Sequence, residues 1–449
     1  MKLTHKDYLN LALPFIVATV TQPLLGAVDT AVIGQLGVAA LIGGVAIGTV
    51  VMNTLYWLFG FFRVSTTGQS AMAVGRGDYA EQAAALIRPL VVAIAVGGLF
   101  ILLRQPIWQG ALLVIEPDAN VAANAHIYFD IMIFGAPFVL ANYTVIGWLM
   151  GQGKAKQTLL IQVFGNLLNI ALNLLFVIAF DLGIAGVAYA SFSAQFVMLM
   201  VGVLVSANCT SFSLFDYLRF ARITLADVKL IASSNVDLLL RTVCILIFFN
   251  LMARTGAQLG TEILATNAIL MQVIFIVSYL FDGIANASSV FAGKAVGAKD
   301  SRLLQQVLRL NTQWTLMAML VLTTALALSK DQLVLLFTPL PELIVLYQQM
   351  SGWLVLFPLV AGAGLTLYGI FTGTGTTRPV FRSSAAALLL FLVAEPMLVE
   401  QWSNHGLWCA VSLFYAGRFV FLYPYIGEIK RKCIGDRSVK QQAASSLKV

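Results

Sequence analysis

The chain has 449 residues, 59% hydrophobic and only 10% charged, with a mean hydropathy of +0.88. A soluble domain needs roughly 25% charged residues to keep its surface wetted, so the main solvent of this chain is lipid. The net charge of +7 invites a nucleic-acid partner, but the basic residues sort by membrane side, which excludes that class.

A bilayer core about 30 Å thick takes roughly 20 apolar residues per helical crossing. Twelve such stretches follow one another, at about 9–35, 40–62, 84–104, 122–149, 157–180, 184–206, 231–253, 262–290, 305–328, 344–372, 379–399 and 405–426. The alternation a membrane barrel needs is absent. Runs such as Ala83–Leu103 are apolar on every side, so helices are the way to satisfy their backbone. The first stretch contains Pro14 and Pro23, follows Lys2 and Lys6, and lacks a small-residue cleavage site. It therefore reads as a retained helix.

With the amino terminus cytoplasmic, the outer loops hold only Arg104, Arg254 and Lys330, and Arg63, Arg241 and Arg418 fall inside stretches. The remaining 21 of 27 lysines and arginines lie on the inner side, as the positive-inside rule requires, and both termini are expected there. Cys209, Cys244, Cys409 and Cys433 show no metal spacing, and disulfides are not expected.

The polar interruption Ser206–Lys229 divides the chain six plus six. The expected organisation is an amino-terminal lobe over 1–206, a cytoplasmic linker over 207–229, a carboxy-terminal lobe over 230–426 and a basic cytoplasmic tail over 427–449. Aromatic and aliphatic residues alternate with polar ones in the linker, so part of it could lie along the inner membrane surface. Sliding Leu11–Asp78 onto Ser233–Asp300 without gaps matches Ala31 with Ala253, Gly34 with Gly256, Leu58-Phe59 with Leu280-Phe281, and AVGRGD with AVGAKD. That is a repeat. Six spans per lobe leave both lobes in the same orientation, and two parallel lobes suit alternating access to a site between them.

Enzymatic signatures are missing. Gly151-Gln152-Gly153-Lys154-Ala155 lacks the earlier glycine and the hydroxyl residue of a phosphate loop, and there is no HExxH or GxSxG. His5, His126 and His405 are scattered near span ends. Neither an enzyme nor a cofactor or metal site is expected, so energy for transport has to come from an ion gradient, which needs intramembrane oxygens. On the first helix Gln22 and Asp29 are seven apart and share a face. On the fifth, Asn166, Asn169 and Asn173 form one stripe; Asn142 lies deep in the fourth, and Ser191 and Gln195 are four apart on the sixth. A single amide could merely join helices, whereas a set that includes an acid suits an ion site.

In the second lobe, Asp237 and Arg241 are four apart on the seventh helix and are expected to form a structural ion pair. Asp282, in a stripe with Ser278, Asn286 and Ser289, could recognise a cationic drug or pair locally. Glu395 precedes Pro396 near the outer end of the eleventh helix and is expected to be accessible to the periplasm, whereas Asp130, just inside the fourth span, is expected to have a structural role. Thirteen methionines and 29 phenylalanines could furnish an adaptable apolar wall with ring faces for cations, although most must face lipid or other helices.

LLGAVDTAVIG with LALPFI before it, GNLLNIALN on the fifth span and GVAYAS on the sixth resemble the multidrug and toxic compound extrusion (MATE) family, and its DinF-like branch in particular. The likeness spans nearly the whole chain. It implies an all-α membrane protein of twelve helices in two pseudo-symmetric lobes. It implies Asp29 as the cation-coupling acid, Pro14 as the hinge of the first helix, and a supporting network of Asn142, Asn169, Asn173 and Ser191. Gln22, Asn166, Gln195 and Asp282 are then candidates for the substrate cavity, and the substrates are lipophilic organic cations. Many relatives carry a second acid where this chain has Asn173. A hard cation prefers more charged oxygen ligands, so the departure favours protons while leaving Na+ open.

The expected mechanism is antiport. Asp29, open to the outside, takes a proton and loses its charge, the first helix bends near Pro14, and the shrinking cavity expels the drug. The lobes then rock inward and the proton leaves. For this exchange Asp29 has to gain and lose its proton within the working pH range, which a partly dry site with amide neighbours could allow. A flippase for a lipid-linked precursor would need basic residues in its cavity, and a passive channel a symmetric pore-lining ring. A monomer in a bacterial inner membrane, surrounded by membrane lipid and without nucleic acid, is expected.

Overall fold

In lipid a backbone must close its hydrogen bonds within its own segment, and among the described residues every regular element is a helix. The computed structural model describes residues 3–20, 39–116, 118–209, 225–338 and 340–434. Gln22 and Asp29, most of the linker and most of the basic tail lie outside the described residues.

In chain order the helices are α1 (His5–Val20), α2 (Ala39–Leu58), α3 (Phe61–Arg76), α4 (Tyr79–Leu102), α5 (Arg104–Ile115), α6 (Ala119–Phe134), α7 (Ala136–Gln152), α8 (Ala155–Asn173), α9 (Gly183–Asn208), α10 (Leu225–Leu259), α11 (Thr261–Gly297), α12 (Ser301–Leu333), α13 (Pro341–Gly373), α14 (Arg378–Leu422) and α15 (Ile426–Ile434). Nine described helices are long and apolar enough to cross a membrane, or ten if α6 and α7, bent by 51° at Gly135, make one span. The last of them, Arg378–Cys433, runs 56 residues, about 84 Å at helical rise. It breaks at Ser403, whose φ of 48° and ψ of −127° are not helical, so it is long enough for two crossings.

The outer face of α12 shows where lipid belongs. Leu316, Met317, Leu320 and Val321 are exposed, while Asn311, Thr315 and Met319 on the opposite face are buried.

Two units emerge, residues 20–235 and residues 236–449 together with 1–19. The first helix therefore packs with the second half of the chain. Tyr8 anchors it, its hydroxyl sharing a 2.5 Å hydrogen bond with Ser288 on α11. Leu3 N donates to Gln306 Oε1 on α12 at 2.9 Å, and Thr19 Oγ1 donates to the Tyr279 carbonyl at 2.8 Å. Thr4 and Asp7 cap its first turn reciprocally, each backbone N–H donating to the other's side chain.

Within each unit the repeat reappears as backbone geometry. Gly77 (φ 69°) closes α3 and Asp78 caps α4; at the matching positions Lys299 (φ 54°) ends the turn after α11 and Asp300 caps α12. Gly77 N and Asp78 N donate to Val74 O and Ala73 O, and Lys299 N and Asp300 N donate to Val296 O and Ala295 O. The same chain shift carries Gly153 (φ 83°), after α7, onto Gly375 (φ 64°), after α13.

It also carries over two close helix contacts. A Cβ on Gly147 or Gly151 of α7 would strike the carbonyls of Arg63 and Thr67 on α3. One on Gly369 or Gly373 of α13 would strike those of Ala285 and Ser289 on α11. These four glycines let two helix backbones touch in each unit, the small-residue packing that holds helices together in lipid.

The tail helix α15 buries Ile429 and Cys433. Its Lys432 donates to the carbonyls of Thr374 (2.7 Å) and Gly375 (3.2 Å), at the end of α13. A cation there satisfies open carbonyls and complements the helix dipole.

Leucine at Gly147 or Gly369 must part the helices, costing about 3 kcal/mol or more; Gly98 has nothing within 4 Å of its added Cβ. Gly147→Leu and Gly369→Leu should lose the monodisperse peak in size-exclusion chromatography, and Gly98→Leu should keep it. Asp300 accepts from the N–H groups of Leu303 and Arg302 (3.0 Å each), and these bonds hold its carboxyl below the usual carboxylate range. Asp300→Ala should cost about 1 kcal/mol at neutral pH. That contribution is complete above about pH 4 and fades as the pH falls through the lowered value, so melting points of wild type and variant should converge in acid.

Candidate functional site

α8 owes its polar stripe to asparagines placed at helical spacing. Asn173 Nδ2 donates to Asn169 Oδ1 at 2.9 Å, and Asn169 Nδ2 donates to Ser191 Oγ on α9 at 2.9 Å. Both asparagines are buried, Asn169 at 2% and Asn173 at 0% exposure. One layer away, Asn142 of α7 donates through Nδ2 to the Gln195 carbonyl and to Gln195 Oε1, both at 2.9 Å. Its own Oδ1 is buried with no hydrogen-bond partner among the described residues. A buried amide oxygen left unpaired costs about 1–3 kcal/mol, which marks this oxygen as an acceptor awaiting a donor.

α8 does not end cleanly after Asn173. Leu174–Ala179 form a π-helical turn, in which Phe180 N reaches back to Leu175 O at 3.0 Å. Such turns occur at functional sites because they widen the helix and free a backbone group. LLFVIA carries no sequence signal for it.

The structure joins Asn142 with Gln195, and Asn169 with Asn173 and Ser191. Asn166 is half-buried and stays outside this chain of hydrogen bonds. Pro14 sits inside α1, half-buried, with the helix continuing through it. Asp29 and Gln22 lie outside the described residues.

In the second unit Asp237 and Arg241 do not form the ion pair expected from their spacing. Asp237 accepts instead from Thr377 Oγ1 at 3.0 Å, and the Arg241 guanidinium lies 4.5 Å from the centre of the Tyr368 ring. Both partners are supplied by other helices, and helix spacing alone cannot reveal them. Glu395 accepts from Thr255 Oγ1 at 2.6 Å, and Asp130 lies 3.6 Å from His126 Nε2, both structural arrangements. His405 accepts from Trp353, and His5 packs edge-on to Trp314.

A second polar site went unread in the sequence. Arg418 of α14 is 7% exposed, with its guanidinium 5.8 Å from the Tyr415 ring and 6.0 Å from that of Phe414. An aromatic stack fixes this part of α14, with Phe248 lying flat on Phe414 at 3.9 Å and edge-on to Phe391. Half-buried Asp282 on α11 lies within electrostatic reach of Arg418 and Tyr415. The only sequence signal was an arginine inside an apolar span.

Removing Asn169 takes one hydrogen bond each from buried Asn173 and Ser191. Asn169→Leu should lower stability by about 1–3 kcal/mol. Asn166→Leu should stay within about 0.5 kcal/mol of wild type. Thermal unfolding in detergent distinguishes the two.

A family model described as MatE matches residues 14–175 and again 238–397, once in each half of the chain. DNA damage-inducible protein F of Escherichia coli (strain K12) is 32% identical over 416 residues, covering 92% of this chain and 90% of that protein. Multidrug resistance protein MdtK of Photorhabdus laumondii subsp. laumondii is 22% identical, covering 94% of each. A crystal structure of MATE in the bent conformation shares the fold with a TM-score of 0.86 at 18% identity, covering 96% of this chain and 97% of that one. The chain belongs to the MatE family, and it is a multi-pass membrane transporter and not an enzyme.

Proposed function

We propose that this multidrug efflux transporter is a proton antiporter, exporting lipophilic organic cations as Asp29 gains and loses a proton. The observation that carries the proposal is the neutral chain Asn173–Asn169–Ser191, buried in the first unit. An amide offers N–H donors to a carboxylate and an oxygen to a carboxylic acid. Such surroundings tolerate both states of one acid without a fixed counter-charge.

Protonation removes a charge that is costly to keep dry. Asn142, Asn169, Asn173 and Ser191 support Asp29, while Gln22, Asn166 and Gln195 help to line the drug cavity. The conformational response runs through α1. Pro14 lacks the N–H that would hold the carbonyl of Asn10, so the helix is weakest there. Tyr8 and Thr19 on either side are tied to α11, which gives a bend at Pro14 purchase on the second unit. The protein works as a monomer in a bacterial inner membrane with both termini cytoplasmic.

The test uses purified protein in liposomes under a pH gradient or, separately, a sodium gradient, with uptake of a fluorescent organic cation as the readout. Wild type should concentrate the dye under the pH gradient alone. Asn at position 29 (Asp29→Asn) should cut gradient-driven uptake at least about tenfold, equivalent to about 1.4 kcal/mol of lost driving interaction. Uptake driven by sodium alone, or uphill transport by the folded variant, would overturn the proposal.

A further inference from the structure

The second unit holds more buried positive charge than the drug-export reading uses. Arg418 is more than nine-tenths buried, with its guanidinium beside the Phe414 and Tyr415 rings. The Nε of Arg241 is also buried, with no hydrogen-bond partner among the described residues. The two guanidinium groups lie within electrostatic reach of each other. Among the described residues Asp237, four residues before Arg241, accepts from Thr377 and makes no ion pair with that guanidinium, while Asp282 lies within electrostatic reach of Arg418. Ionisable groups inside membrane spans are costly and mark functional sites by default.

The rings define what is missing. Tyr368 covers a face of the Arg241 guanidinium, and Tyr415 and Phe414 stand beside that of Arg418. A ring occupies the π face and leaves the in-plane N–H fork without an acceptor. That fork matches the paired oxygens of a carboxylate, sulfonate or phosphate, and the aromatic surroundings suit an apolar body attached to one.

We propose that Arg241 and Arg418 form a receptor for the anionic group of a lipophilic molecule, with half-buried Tyr368 against its apolar part. The protein then recognises amphiphilic anions or zwitterions as well as organic cations. The anionic group comes either from a transported molecule or from a membrane lipid headgroup. The receptor lies in the second unit, apart from the proposed coupling residues. It is tested by binding without a gradient, so failure of proton coupling leaves it standing, and its own failure leaves proton coupling standing.

The probe is dansylglycine, a lipophilic carboxylate, compared with its neutral amide dansylglycinamide. Binding is followed by fluorescence on full-length protein in phosphatidylcholine nanodiscs. Wild type should bind the carboxylate at least about tenfold more tightly than the amide, as expected for a charge-assisted pair. Arg241→Gln and Arg418→Gln should each remove most of that preference while leaving amide binding within about twofold. If the Arg418 variant is not monodisperse, the partly exposed Arg241 decides. Repeating the titration in phosphatidylglycerol nanodiscs separates the sources. Weaker carboxylate binding in wild type but not in Arg241→Gln identifies a headgroup as occupant, and unchanged binding identifies a free molecule. Equal affinity for acid and amide in wild type, or a preference that survives in Arg241→Gln, overturns the proposal.

Discussion

Two helix backbones touch in each unit because glycine leaves room for nothing between them. Gly147 and Gly151 set α7 against the carbonyls of α3, and Gly369 and Gly373 set α13 against those of α11. Lipid gives helices no hydrophobic reason to associate, so close van der Waals approach has to supply the attraction. The polar sites hang from these contacts. Asn142 lies on α7 just before Gly147, Tyr368 directly precedes Gly369, and Asp282 precedes Ala285 on the facing helix. Asn142, Tyr368 and Asp282 are thus held within about a turn or two of a rigid backbone contact.

The two units share this backbone and differ in what they hold. Continued forward, the shift that pairs the glycines places Asn169 of the first unit opposite Phe391 of the second. One belongs to a chain of amides, the other to an aromatic stack beside Phe248 and Phe414. A neutral, hydrogen-bonded interior suits a proton that comes and goes. Guanidinium groups among rings suit an anion with an apolar body. The repeat supplies the framework, and divergence inside it supplies two different chemistries.

Much of this was legible in the sequence because lipid enforces simple rules. Long apolar runs had to be helices, and AVGRGD against AVGAKD did mark the same turn and cap in both halves. The asparagine stripe at i, i+3 and i+7 was readable from helical spacing, whereas the bond from Asn169 to Ser191 depends on a second helix that this spacing does not specify. Side-chain choices between helices were not readable. Asp237 and Arg241 have ideal spacing for an ion pair, but Thr377 and Tyr368 on neighbouring helices offer each a partner that does not require two charges to be desolvated together. The π-helical turn after Asn173 changes no hydrophobic period. The packing of α1 with the second half depends on Tyr8 and Thr19 meeting residues far along the chain, which local spacing does not encode.

The coupling account stands or falls on whether drug and proton compete through one acid. Binding linkage requires that a cation which displaces a proton must release it. The direct measurement is proton release into weakly buffered detergent solution, followed with a pH dye, as ethidium binds to the purified transporter. Wild type should release on the order of one proton per ethidium bound, and Asp29→Asn should bind ethidium with no release. Binding without release in wild type, or equal release in the variant, would contradict the account.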